Sequence, residues 1–215
     1  METNKSLQTN QKSLKEKTTI ISFTACSFII LAASFILTVD RFTWMLEVFP
    51  ILIGLPVLIF TYKKFRFTAL VYWLLILHFI ILAVGGIYTY PEVPLGSWMQ
   101  DWFGFERNNY DKIGHLAQGY IPAILIREIL LRTSPLHRGK WLSFIVVSIC
   151  LAISASYELI EWWVAVAQGA SAEAFLGTQG YEWDAQSDMF MALIGAVVAL
   201  VMLSGVHDRE IDKIV

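Results

Sequence analysis

The stretch NNYDKIGHLAQGYIPAILIREILL, residues 108–131, sets an acid, a base, an imidazole and an amide between Asp111 and Gln118 and then turns apolar. A bilayer core of about 30 Å is crossed by about 20 apolar residues rising ~1.5 Å each. The apolar part reads as a membrane helix, and the polar part would then lie where water gives way to lipid. Whether that reading holds depends on the rest of the chain.

Of the 215 residues, 56% are hydrophobic and only 16% are charged, and the mean hydropathy is +0.58. Soluble domains usually carry about 25% charged residues. The composition is that of an all-α, polytopic membrane helical bundle whose partner is the lipid bilayer. It offers no basic surface for nucleic acid. The net charge of −2 decides nothing. Cys26 and Cys150 both fall in apolar runs, where they read as small buried hydrophobes rather than a disulfide framework.

Six segments are long and apolar enough to span: about 19–39, 43–62, 67–87, 113–131, 141–167 and 188–206. Pro50 and Pro56 predict a kink in the second, which neighbours in a bundle can accommodate. The fifth exceeds what the bilayer needs and is expected to tilt or project. The expected organisation is a disordered polar tail over 1–17, a six-span membrane domain over 18–206 and a short tail over 207–215. The first apolar run is too long for a signal peptide, and LTVDRF (37–42) lacks a small-residue cleavage site, so it is expected to be retained.

Lysine and arginine set the orientation. With the N-terminus in the cytoplasm, the inside segments carry twelve: Lys5, Lys12, Lys15 and Lys17; Lys63, Lys64 and Arg66; Arg132, Arg138 and Lys140; Arg209 and Lys213. The outside segments carry three, Arg41, Arg107 and Lys112, and Arg127 lies within the fourth span. Both termini are expected in the cytoplasm. The N-terminal mouth of span four, the outer half of span five (YELIEWW, 157–163) and the loop before span six then share the extracytoplasmic side.

Residues three and four apart share a helix face. Asp111, His115 and Gln118 form one such stripe, Glu158 and Glu161 another with Tyr157, and Asp184 and Asp188 a third. Carboxyls in a membrane helix cost about 2.5–3.5 kcal/mol each at the midplane, so they are expected to face a shared interior. Two glutamates one turn apart also repel, and Lys112, protonated His115, a proton or a metal would offset that. The candidate ligand-binding set is Asp111, Lys112, His115, Gln118, Glu158, Glu161, Gln179, Asp184 and Asp188. Within it, His115, Glu158, Glu161 and Asp188 are the candidates for a divalent metal ion through oxygens and one imidazole, and for general acid–base chemistry on a head group. The alternative is that these groups only make interhelical hydrogen bonds and ion pairs, such as Lys112 with a glutamate. No strict metal motif of the H-E-x-x-H kind is present.

Elsewhere the readings are structural. Arg127 and Arg132 are expected to snorkel to the inner surface, with Glu128 pairing Arg132 one turn on. His78 reads as a core histidine, and Glu47 as either interfacial or a supporter of the site. Trp98, Trp102, Trp162, Trp163 and Trp183 suit the outer interface, where amphipathic rings sit. Gly177 and Gly180 suit tight turns in the loop before span six. Gly195 with Ala192, Ala196 and Ala199 suits close helix packing, and Gly85 and Gly86 could act likewise.

Three segments, YDKIGHLAQGYIPAILIREILLR (110–132), LAISASYELIEWWVA (151–165) and AEAFLGTQGYEWDAQSDMFMALIGA (172–196), together resemble the YjdF-type bacterial inner-membrane proteins. The motifs are long, ordered and span roughly residues 109–196. The resemblance implies the bacterial cytoplasmic membrane and a multi-span helical fold, and it supplies no reaction. A fainter similarity is to the VanZ-like membrane proteins, which pair an Asp-Lys-x-x-His helix start with a later Glu-bearing helix and an Asp-x-x-x-Asn before a glycine-rich span. Asp111, Lys112 and His115 fit the first element, and Glu158 or Glu161 the second. Asp188 stands where the asparagine would be. That similarity implies cell-envelope chemistry by analogy. Three classes of function stay open: a pocket for a cation or head group, an enzyme acting on a lipid-linked or envelope substrate, and a structural protein without a ligand.

Overall fold

The structure, a computed structural model, describes the backbone of residues 2–168 and 178–214 and the side chains of 17–167 and 178–214. Among the described residues every regular element is helical. The order is α1 (Glu2–Leu37), α2 (Arg41–Glu47), α3 (Phe49–Thr61), α4 (Ala69–Tyr88), a 3₁₀ turn (Tyr90–Glu92), α5 (Pro94–Phe103), α6 (Tyr110–Thr133), α7 (Lys140–Gln168) and α8 (Asp184–Ile211). Four helices are long and apolar enough to cross a bilayer: α1 from Lys17, α4, α7 to Ala167, and α8. The pair α2 and α3, bent by 48°, makes a fifth if it counts as one span. The bend falls at Val48, just before Pro50, which has no N–H to return to the preceding turn. The expected kink is therefore present. Gly177 lies outside the described residues.

The α1 helix runs back through the polar stretch expected to be disordered. Residues 2–17 contain neither glycine nor proline, so adding turns to an existing span costs little. The other difference is in the segment after α4, expected as a plain loop. It holds the 3₁₀ turn and α5, which starts on Pro94 and ends on Gly104 in the left-handed region at φ 69°.

The centre of the bundle is α6 against α8. A Cβ placed on Gly119 would overlap the Ala192 carbonyl oxygen, and one on Gly195 would overlap that of Leu116. Ala192, Ala196 and Ala199 are fully buried along the same face. In lipid, helix association draws on such backbone-close packing. The close seam matters for function, because it fixes the N-terminal turns of α6 and α8 side by side.

The two ends of the bundle are chemically distinct. At one end the Val39 N–H donates to the Ile87 carbonyl (3.1 Å) and Thr38 Oγ1 to that of Gly86 (2.7 Å), joining α1 to the end of α4. At the other end Glu128, fully buried, collects Thr68 N–H (3.0 Å) and Oγ1 (2.7 Å), Arg132 Nη1 (2.6 Å) and His207 Nε2 (3.0 Å). The Glu128–Arg132 pairing is as expected. Arg127 does not snorkel. It is 4% exposed and donates to His207 Nδ1 (3.1 Å) and Asp208 Oδ1 (2.7 Å). The reason is that α8 continues to Ile211, bringing these partners within reach.

Candidate functional site

Asp111 and Lys112 sit in the first turn of α6, and His115 and Gln118 follow on the same side. Asp184 opens α8 and Asp188 lies one turn on. Glu158 and Glu161 come from the second half of α7. The three stripes meet at the end of the bundle where α1 joins α4.

They form two linked clusters. In the first, Lys112 Nζ is 2.8 Å from Asp184 Oδ1, 2.7 Å from Asp188 Oδ1 and 3.3 Å from Asp111 Oδ2. Arg107 Nη2 adds contacts to Asp184 Oδ1 (2.5 Å) and Asp111 Oδ2 (3.3 Å), and its Nη1 donates to the Thr178 carbonyl (2.8 Å). The Tyr181 ring covers both cations, with the Arg107 guanidinium 4.8 Å and the Lys112 ammonium 5.9 Å from its centroid. Lys112 therefore pairs with three aspartates rather than with a glutamate.

In the second cluster, His115 Nδ1 lies 3.0 Å from Gln118 Oε1. Its Nε2 faces Glu158 Oε1 at 3.6 Å and Asp188 Oδ1 at 3.9 Å. Asp188 thus bridges the clusters. Glu158 Oε1 is buried and has no hydrogen-bond partner among the described residues. Glu161 lines the adjoining cavity together with His115, Gln118, Tyr157, Asp111 and Asp188. That cavity has a volume of about 170 Å³ and reaches His78, so the core histidine also borders it.

Lys112, Glu158 and Asp184 stand behind this lining, and Gln179 belongs to neither cluster. Its Oε1 accepts from the Asn108 N–H (3.1 Å) and its Nε2 donates to the Asn108 carbonyl (2.7 Å). It clamps the loop before α8 onto the start of α6. It does so in the left-handed region at φ 49°, a strained position for a residue other than glycine.

Two residues join the site that the sequence did not single out for it, Arg107 and Tyr90, and Glu47 lies beside it, as one of its two readings allowed. Arg107 precedes Asp111 by four positions, the only local hint of its role. Tyr90 is wedged between helices: a Cβ on Gly85 would come 2.8 Å from its ring and one on Gly114 3.1 Å. Burial pushes the Tyr90 phenol well above its usual 10, and the neighbouring Glu47 carboxyl adds to that shift. Glu47 is 1% exposed, and its carboxyl lies beside the Tyr90 phenol. The surface at this end of the bundle carries exposed tryptophans. Trp98, Trp102, Trp162, Trp163 and Trp183 are all more than half exposed, as an interfacial belt requires.

The family described as "Predicted membrane protein (DUF2238)" matches residues 19–209. The Escherichia coli (strain K12) "Inner membrane protein YjdF" is 49% identical over 174 residues, covering 81% of this chain and 83% of the relative. No solved structure matches. With nearly the whole helical region covered and the apolar helices in place, the chain belongs to the DUF2238 family of membrane proteins and is a multi-pass protein of the bacterial inner membrane.

Proposed function

We propose that the protein binds a cation, or the charged head of a lipid or envelope compound, in the cavity between α6, α7 and α8, and that this cavity opens to the extracytoplasmic side. Six spans over residues 18–206 underlie the proposal. They are α1, the bent α2–α3 pair, α4, α6, α7 and α8, with both termini cytoplasmic. α6 is less apolar than the rest because its charges face protein: Asp111, Arg127 and Glu128 are all buried. The inside bias of lysine and arginine supports this orientation, because the nine of those cations whose side chains are described fall at the helix ends opposite the cavity.

The observation that carries the reading is the imbalance of charge at the cavity. Asp111, Glu161 and Asp188 line it and Glu158 and Asp184 stand behind them, and among the described residues Lys112 and Arg107 are the lysine and arginine that pair with this group. Carboxyls in low dielectric repel strongly unless a proton or cation intervenes. The ligand set is Asp111, Lys112, His115, Gln118, Glu158, Glu161, Asp184 and Asp188, with Gln179 holding the loop over it. An enzymatic role on a lipid-linked or envelope substrate would use His115 and Glu158 as the acid–base pair.

A second reading, a purely structural role, is favoured by the first cluster, where Lys112 and Arg107 are satisfied internally. Thermal unfolding of the purified protein in lipid nanodiscs separates the two. Stabilisation by divalent cations or by lipid with an amine-bearing head group, lost in Glu158→Gln without loss of fold, supports the pocket. Wild-type protein indifferent to every cation and lipid added supports the structural role.

A further inference from the structure

We infer that His115, Glu158 and Asp188 form a binding site for a single first-row divalent metal ion, a proposal that rests on the pocket reading and narrows it to one ligand class. The ligand atoms of these three residues all lie within 4.8 Å of one another. They come from three different helices, α6, α7 and α8, and the close seam holds the first and last of these in register. A metal bound at roughly 2.0–2.2 Å by nitrogen and oxygen keeps its ligands about 3–3.5 Å apart. His115 Nε2 stands 3.6 Å from Glu158 Oε1 and 3.9 Å from Asp188 Oδ1. Those separations exceed a hydrogen bond and need only a slight contraction around an ion.

The tautomer of His115 points the same way. Gln118 Oε1 can only accept, so its contact with Nδ1 puts the proton there and leaves the Nε2 lone pair facing the two carboxyls. Fixing one imidazole nitrogen through an outer partner is how metal-binding histidines are oriented. The imidazole side chain is 9% exposed and borders the cavity, yet Nε2 makes no hydrogen bond among the described residues. Glu158 Oε1, beside it, is buried and equally without a hydrogen-bond partner.

The neighbouring cluster supplies the contrast. Asp111, Asp184 and Asp188 also bring three ligand atoms together, but Lys112 Nζ sits among them and Arg107 flanks them. A fixed cation already fills the place of an ion there. That lysine also reaches Asp188 Oδ1, but among the described residues no lysine or arginine pairs with His115 or Glu158. One imidazole with two carboxylates suits Zn²⁺ or Mn²⁺ better than the all-oxygen preference of Mg²⁺ or Ca²⁺. The adjoining cavity leaves room for a further ligand on the open side.

The test is metal binding by the full-length protein in nanodiscs, stripped with a chelator and then titrated with Zn²⁺ and with Mn²⁺. One equivalent per chain is expected. His115→Ala and Glu158→Gln are expected to weaken binding more than tenfold, and Gly205→Ala, where an added methyl meets nothing within 4 Å, is expected to leave it unchanged. Wild-type binding no tighter than that of the double variant overturns the site. If the variants do not fold, Mn²⁺ paramagnetic resonance on ¹⁵N-histidine-labelled wild type decides. Coupling to one imidazole nitrogen supports the site, and its absence overturns it. Stabilisation by lipid with an amine-bearing head group and no metal bound overturns the metal site and leaves the pocket standing. Indifference to both removes the pocket as well.

Discussion

Lys112 Nζ stands 2.7 Å from Asp188 Oδ1, and that contact ties the first turn of α6 to the beginning of α8. Asp188 is also the carboxyl nearest His115 from α8, at 3.9 Å. One aspartate therefore serves both the ion-pair cluster and the imidazole. Lys112 pairs with three acids at once, and Arg107 reaches only Asp111 and Asp184, so removal of Lys112 leaves the buried Asp188 without its counter-charge.

Lys112→Met is expected to destabilise the protein by about 3–5 kcal/mol, the usual result of removing one partner from a buried ion pair. Asp184→Asn should cost less, because Lys112 keeps two aspartates and Arg107 keeps Asp111. Thermal unfolding in nanodiscs measures both. Equal stability of Lys112→Met and wild type would show that the cluster contributes nothing to holding α6 against α8.

The seam makes a sharper steric prediction. Gly119→Ala and Gly195→Ala each push a methyl into backbone of the facing helix, which no rotamer change can relieve. Overpacking of this kind costs ~1–3 kcal/mol or more, and folded protein in the membrane should fall severely. Gly54→Ala and Gly205→Ala meet nothing within 4 Å and should be neutral or slightly stabilising, since alanine favours the helix by ~1 kcal/mol. Fluorescence-detected size exclusion of the four variants checks the contrast.

Tyr90 gives a pH dependence with a definite sign. Its phenol is raised well above the usual 10 in the folded protein, whereas in the unfolded chain it ionises near ~10. Its contribution to stability is therefore fully present below pH ~10 and is lost as pH rises toward the folded value, at up to ~1.4 kcal/mol per pH unit. Wild type should lose more stability than Tyr90→Phe between pH 9.5 and 11. Parallel melting curves for the two proteins across that range would contradict the burial of this ring.

Much of this was legible in the chain. Apolar length marks the helices, because a bilayer forces about 20 apolar residues into each span. Period marks the faces, so Asp111, His115 and Gln118 could be placed on one stripe before any contact was known. The meeting of that stripe with Glu158 and Asp188 is a tertiary fact, set by the Gly119–Ala192 and Gly195–Leu116 approaches. Arg107 was missed for the same reason: Asp184, its partner, is 77 positions away. The environment of Glu47 depends on Tyr90 being wedged between Gly85 and Gly114, which no local pattern announces. The α5 helix did have its signals, Pro94 at the start and Gly104 at the end, although they sit in a segment too polar to read as a span. Arg127 was misplaced because the apolar pattern stops near residue 206, whereas the helix, and with it His207 and Asp208, continues.

The orientation of the bundle can be read independently of any ligand. Glu106 lies exposed in the loop before α6, and His137 lies exposed in the turn before α7. With six spans and both termini inside, the first faces the periplasmic side and the second the cytoplasm. The bias of lysine and arginine toward the His137 side drives that choice during insertion. In a Cys26→Ala, Cys150→Ala background, Glu106→Cys should react with a membrane-impermeant maleimide in cells whose outer membrane alone has been opened. His137→Cys should react only after the inner membrane is breached. The reverse pattern would turn the His115 cavity toward the cytoplasm and exclude envelope compounds as its ligands. Labelling of both positions from outside would mean that α6 does not cross, and the six-span count would fall with it.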